Sequence, residues 1–143
     1  MSYSFTELLT IAREVRDDFN IDHREVLENM TDHHDDFEVD GWRFIACNAA
    51  LDILTDELGS DEYILGCFMA GFLSDVLDID VDVIEALQKS EAYEALGKLI
   101  LSMGKLRDLA QAYVDADGYG HHFNRWDGVE HELSSADYYA FKL

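Results

Sequence analysis

Twelve consecutive residues, Tyr63 to Ser74 (YILGCFMAGFLS), carry no charge in a chain whose formal net charge is −21. A segment that is apolar on every side is stable in water only when the rest of the chain surrounds it, so this run restricts the available folds more than any other stretch. Ile64, Cys67, Phe68, Gly71 and Phe72 recur at steps of three and four, and Val76 continues the face. The spacing predicts a central buried helix. Gly66, Ala70 and Gly71 suit a helix that a neighbour approaches closely better than an exposed one, where glycine costs about 1 kcal/mol relative to alanine. A membrane span takes about 20 apolar residues. This run is shorter and is bounded by Asp61, Glu62 and Asp75.

The 143 residues fit one domain, residues 1–143, with no internal repeat, low-complexity tract or Gly/Ser linker to divide it. MSYSFTELL at the start has no basic stretch followed by an apolar one, so a cytoplasmic location is expected. Cys47 and Cys67 lie in apolar surroundings without CxxC spacing and read as buried thiols of a reducing compartment.

Ser4 and Glu7 form a capping-box pattern ahead of Leu8, Ile11, Ala12, Val15 and Phe19 on one helical face. Asp22 and Glu25 repeat the pattern before Val26, Leu27 and Met30. In DFEVDGWRFI, Asp40-Gly41 sits between two alternating runs as a type I′ hairpin turn does. That turn pairs Val39 with Trp42 and Phe37 with Phe44 on one face, and Glu38 with Arg43 on the other. Asn48 to Leu58 reads as a helix stopped by Gly59, with Ser60 capping the central helix. Asp78 or Asp80 starts another, and Ser90 caps a long final helix running past Met103 to Tyr113. His121 to Trp126, a second turn at Asp127-Gly128 and Val129 to Leu133 read as a second hairpin, followed by a strand at Tyr138 to Leu143. The expected architecture is a helix-rich α+β domain with a buried central helix and a small antiparallel sheet, built from two Asp-Gly hairpins and a C-terminal strand.

Charge is distributed unevenly. Residues 1–88 hold 22 acidic and four basic side chains, a net of −18, while residues 89–143 hold nine and six. No lysine or arginine occurs between Arg43 and Lys89. Self-repulsion on this scale destabilises a compact state, so a use for the carboxylates is expected, and a basic partner supplies one. Proteins that bind nucleic acid meet phosphates with Lys and Arg, and carboxylates three or four apart on a helix lie roughly 5–6 Å apart. The candidate faces are Asp52, Asp56 and Glu57; Asp78, Asp80, Asp82 and Glu85; and Asp17, Asp18, Asp22 and Glu25. Direct binding of nucleic acid or an anionic membrane through these faces is excluded by sign.

In size, charge and lysine poverty the whole chain resembles the small acidic proteins with which bacteriophages block host nucleic-acid machinery, the DNA-mimic anti-restriction and anti-CRISPR class. DGYGHHFNRWDG, DYYAFKL and DDFEVDGWRFI are also similar to segments of phage open reading frames. The resemblance implies a non-enzymatic inhibitor that binds the basic nucleic-acid-binding surface of a host protein or nucleoprotein complex, within the host cytoplasm. It implies no cofactor, and homodimer formation is compatible with it. A generic or salt-adapted acidic surface is the alternative, and a small metal-dependent enzyme is third.

For the third reading, Asp32-His33-His34-Asp35-Asp36 and His121, His122 and His131 supply ligand atoms, with His122 and His131 diagonal across the second hairpin. Adjacent strand histidines point to opposite faces, however, which disfavours convergence. The loops from Asp115 and Asp78 fail the EF-hand template at position twelve, which holds Trp126 and Lys89. No nucleophile elbow, Walker loop, dinucleotide fingerprint or HExxH is present. His122, Arg125 and Trp126, within Tyr119–Trp126, form a polar-aromatic group read as a contact patch or a packed hairpin.

Overall fold

The computed structural model describes residues 3–30 and 33–143. In chain order these form α1 (Phe5–Phe19), α2 (His23–Met30), β1 (Asp36–Val39), β2 (Trp42–Ala46), α3 (Ala50–Gly59), α4 (Glu62–Gly66), α5 (Ala70–Leu77), α6 (Val81–Lys89), α7 (Tyr93–Ser102), α8 (Leu106–Asp117), α9 (Gly120–Phe123), β3 (His131–Glu132) and β4 (Tyr138–Lys142). The protein is a helix-rich α+β chain with one small antiparallel sheet. Its contacts divide it into two compact units, Met1–Ala50 with Gly118–Leu143, and Leu51–Asp117.

The first unit is built on the sheet, in the order β1-β2-β4-β3. Asp40 and Gly41 have φ of 51° and 78°, the left-handed pair a type I′ turn requires. The turn sets the expected register, with Val39 opposite Trp42, Glu38 opposite Arg43 and Phe37 opposite Phe44. Strand alternation then sorts the side chains. Phe37, Val39, Phe44, Ala46, Tyr138 and Ala140 join Ala12 and Val15 of α1 and Val26 and Met30 of α2 in one buried cluster. On the opposite face Phe123 of α9 packs its ring 5.1 Å from Phe141, and Tyr119 lies 5.2 Å from Tyr139. The Ser4–Glu7 capping box starts α1 as expected. Arg43 closes a two-pronged bridge onto Asp36, at 2.8 and 2.7 Å, while its guanidinium lies over the Phe123 ring.

The second hairpin does not form. His121 and His122 lie on α9, and residues 124–130 are a loop organised by Asn124, which is 6% exposed. Its Oδ1 accepts from the backbone N–H groups of Trp126 (2.9 Å) and Asp127 (3.1 Å), and its Nδ2 donates to the Val129 carbonyl (2.8 Å). Gly120 lies so close to the Gly128 carbonyl that no side chain fits there. These contacts satisfy the loop's polar groups locally, so the ribbon that Asp127-Gly128 suggested has no advantage. Of the expected second hairpin, His131 and Glu132 alone form a strand, β3, and it pairs with β4.

The second unit is entirely helical, and it overturns the expected central helix. The uncharged run splits into α4 and α5, and Tyr63, Ile64, Cys67, Met69 and Gly71 are exposed. Its buried positions are Leu65, Gly66 and Leu73, which join Leu54, Leu58, Leu77, Ile84, Leu96, Ile100 and Leu109 among the buried residues of this unit. The break is stabilised from another helix. The Gln88 side-chain amide donates to the carbonyls of Gly66 (3.0 Å) and Phe68 (2.8 Å), which a helix end would otherwise leave unpaired. Asp61, rather than Ser60, caps α4 by accepting from the Ile64 N–H at 3.1 Å. The close approach expected at Gly66 is present: it rests on the Tyr93 backbone while Gly97 of α7 rests on that of Glu62. Gly71, by contrast, faces open space. The long final helix is interrupted as well. Gly104, at φ 69°, ends α7 and lets α8 start in a new direction, and Ser90 terminates α6 instead of capping α7.

Candidate interaction surfaces

In the first unit several carboxylates serve the fold. Asp17 pairs with Arg16 at 3.1 Å. Asp18 accepts from the Ser134 N–H (2.9 Å) and hydroxyl (2.7 Å), and Glu14 accepts from the Ser135 N–H (2.8 Å), so α1 holds the turn that leads into β4. Asp22 accepts from the Arg24 N–H at the start of α2, and Glu25, one residue beyond, is exposed. The expected face is thus partly consumed: Asp18 and Asp22 are internal acceptors.

The second unit distributes its carboxylates differently. Asp52 of α3 pairs with Arg107 of α8, and Glu57 is half-buried. Asp80 caps α6 through the Asp82 N–H at 2.8 Å, and Asp78, at φ 57°, ends α5. Asp56 of α3 and Asp82 and Glu85 of α6 are exposed and make no side-chain hydrogen bond or ion pair among the described residues. Asp82 and Glu85, three residues apart, share a helix face. The cations of this unit are directed elsewhere: Lys98 lies 4.0 Å from Glu62, Arg107 binds Asp52, and Lys105 approaches the Leu77 carbonyl at 3.4 Å. Lys89 stands in the last turn of α6.

His122, Arg125 and Trp126 are brought together only in part. His122 packs edge-on against Phe123, 4.9 Å between rings, on α9. Trp126 projects from the Asn124 loop, 71% exposed, with Lys142 Nζ 3.8 Å above its ring, and the Arg125 N–H donates to the Lys142 carbonyl. The result is a small cationic-aromatic corner in an acidic protein.

Sequence reasoning placed the α4–α5 elbow in the core, yet Tyr63 is 50% exposed, Ile64 51% and Met69 80%. Tyr63 packs edge-on against Tyr93, 5.3 Å between rings, and Tyr93 also lines a shallow groove with Glu85, Gln88 and Lys89. The neighbouring Cys67, then desolvation, Tyr93 and Glu91 push the Tyr63 hydroxyl above its ordinary value. The two glycines and the acidic flanks of the run were the available signal that it is not one continuous helix.

The cysteines occupy separate units. Cys47 is half-buried and donates to the Ala136 carbonyl at 3.4 Å, with burial, then Glu132 and Asp137, raising its thiol. Cys67 is exposed, contrary to expectation, because it caps the broken end of α4. The diagonal pairing of His122 and His131 is lost with the hairpin. His131 packs against Trp42 instead, 5.4 Å between rings. Among the described residues no three His, Cys, Asp or Glu are grouped to hold a metal ion; Asp32 lies outside those residues. No helix among them is long and apolar enough to cross a membrane. The chain matches no family model, and comparison with curated proteins and with solved structures finds no match.

Proposed function

We propose that this protein is a non-enzymatic inhibitor of the acidic, phage-encoded type, which occupies the basic nucleic-acid-binding surface of a host protein in the host cytoplasm and blocks access of DNA or RNA. The carrying observation is the second unit, where Asp56, Asp82 and Glu85 are exposed and make no side-chain hydrogen bond or ion pair among the described residues, while Lys98, Arg107 and Lys105 are engaged with Glu62, Asp52 and the Leu77 carbonyl and Lys89 in the last turn of α6 is the one further cation. A surface that keeps carboxylates unpaired retains its field for a partner, whereas paired charges largely cancel. Glu25 extends the acidic character of the first unit, whereas Asp17 pairs with Arg16 and Asp18 and Asp22 already accept hydrogen bonds, so these three contribute less.

The second reading, an acidic surface without a specific partner, is favoured by those same structural carboxylates, since Asp22, Asp61 and Asp80 all accept backbone N–H bonds at helix starts. Capture of partners from a bacterial lysate separates the two readings, with nuclease treatment and about 0.05 and 0.2 M salt. The inhibitor reading expects a nucleic-acid-binding protein that competing DNA or RNA displaces, and Asp82→Lys with Glu85→Lys weakens capture at least about tenfold. Capture that is indifferent to competitor and to these substitutions would overturn it.

A further inference from the structure

β1 is an edge of the sheet, and its hydrogen-bond pattern shows what that edge leaves open. The Ala46 N–H donates to the Asp35 carbonyl at 2.8 Å, so Asp35 and Ala46 are a hydrogen-bonded pair. Alternation along an antiparallel ladder then makes Phe37–Phe44 and Val39–Trp42 the next such pairs, and the backbone groups of Asp36 and Glu38 point away from β2. Asp36 turns its N–H back onto the His33 carbonyl at 3.3 Å. Glu38 is exposed, and its backbone N–H and C=O have no partner among the described residues. A shallow groove at this edge is lined by Asn29, His33, Asp36, Phe37, Glu38 and Arg43, so the open backbone and these side chains share one surface.

An unpaired edge is a template for another strand, and the side chains here select which one. Asp36 and Glu38 alternate onto one face. Asp36 is held by both prongs of Arg43, so the Glu38 carboxylate, although it stands opposite Arg43 in the ladder, makes no side-chain hydrogen bond or ion pair among the described residues. A second copy pairing antiparallel about Glu38 sets Glu38 against Glu38 and Asp36 against Asp40, and like charges directly opposite are destabilising. An extended segment with Lys or Arg opposite Glu38 meets the opposite sign, and the next residue of that segment lies beside Phe37, an apolar wall of the groove. We propose that the free edge of β1 takes up such a basic extended segment of a partner protein as an added antiparallel strand, the mode of recognition in which main-chain bonds hold the peptide and alternate side chains select it. The site belongs to the first unit and does not rest on the inhibitor reading, which concerns carboxylates of α3 and α6.

The test uses the full chain and peptides of about nine residues that alternate lysine and valine. In the proposed register the lysines carry the backbone groups that face β1, since the two residues of a hydrogen-bonded pair share a face. One peptide is N-methylated at its valines and a second at its lysines, and a third has glutamine in place of lysine. Affinities are measured by titration at about 0.1 M salt, with the backbone NMR signal of Glu38 as position reporter. The valine-methylated peptide is expected to bind like the unmodified one and to shift Glu38, while methylation at the lysines weakens binding at least about tenfold. Glu38→Gln should weaken binding of the lysine peptide up to about fivefold. Glu38→Pro removes the outward N–H and no β1–β2 bond, as edge prolines do, and should lower affinity as far as methylation at the lysines does. If that variant does not fold, the two methylated peptides decide the question on the unaltered protein. Equal binding of the two methylated peptides, or an unmodified peptide that leaves Glu38 unshifted, would overturn the strand pairing. Equal binding of the glutamine peptide would overturn the selection by Glu38. Self-association abolished by Glu38→Pro would assign the edge to a second copy, also overturning the proposal.

Discussion

Gly66 and Gly97 face each other's helices across α4 and α7, and a side chain on either would occupy space held by the Tyr93 or Glu62 carbonyl. Because the obstacle is backbone rather than a flexible side-chain end, Gly97→Ala is expected to cost about 1–3 kcal/mol, the range for forcing an extra group into close packing. Gly71 has open space around it, so Gly71→Ala is expected to add up to about 0.5–1 kcal/mol through helix propensity and reduced unfolded-chain freedom. Urea unfolding of both variants checks the opposite signs. The value of Gly66 as a contact point was legible in the sequence because glycine inside an apolar helical run has few other uses. The difference between Gly66 and Gly71 was not, since it depends on which helix α4 meets.

Elements were legible where local chemistry decides and obscure where a distant residue does. The α1 cap and the Asp40-Gly41 turn with its register follow from neighbouring residues and appear as expected. The broken central run depends on Gln88, more than twenty residues after Gly66, and its glycines hint at a break without naming that distant partner. Gln88→Leu therefore leaves two carbonyls without that donor and is expected to cost about 1–3 kcal/mol, as loss of a buried hydrogen-bond partner does, measurable by thermal melting followed through helical circular dichroism. Asp127-Gly128 carries the same dipeptide as the first hairpin, but Asn124 binds the following backbone and fixes a loop. Asn124→Ala should release it, changing the fluorescence of Trp126 as its stacking under Lys142 is lost. Gly104 was an available stop signal for the long helix; the apolar period continuing through Met103 and Leu106 outweighed it. At the candidate surfaces, acidity was legible from composition, while its division into structural and uncompensated carboxylates required Ser134, Arg107 and the helix starts to be located.

Across the whole molecule, charge and burial act in different pH ranges. Burial pushes Tyr113 and Tyr139 up to about 12, and also raises Tyr138, against about 10 for a free phenol. The folded state thus keeps protons that the unfolded chain releases. The associated stability is complete below about pH 10 and is lost as pH rises through 10 to 12. Chemical denaturation across that interval should show stability falling with pH, and a flat profile would contradict the burial of these hydroxyls. At neutral pH the net charge of −21 predicts that moderate salt raises the melting temperature by screening repulsion. Folding that begins only in molar salt would instead identify the acidity as salt adaptation.

The sheet has a consequence for biosynthesis. β2 is complete at Ala46, but its second neighbour β4 begins at Tyr138, and the residues between them include the whole second unit. At about 5–20 residues per second, a ribosome takes on the order of 5–20 s to supply the missing strand. During that interval the emerging β1–β2 hairpin has an unpaired edge of the kind that recruits other strands, while the second unit can already assemble its own core. Chain lacking residues 138–143 should arrest at this stage, with helical signal retained and the first unit prone to aggregate, an outcome that light scattering and circular dichroism would record together.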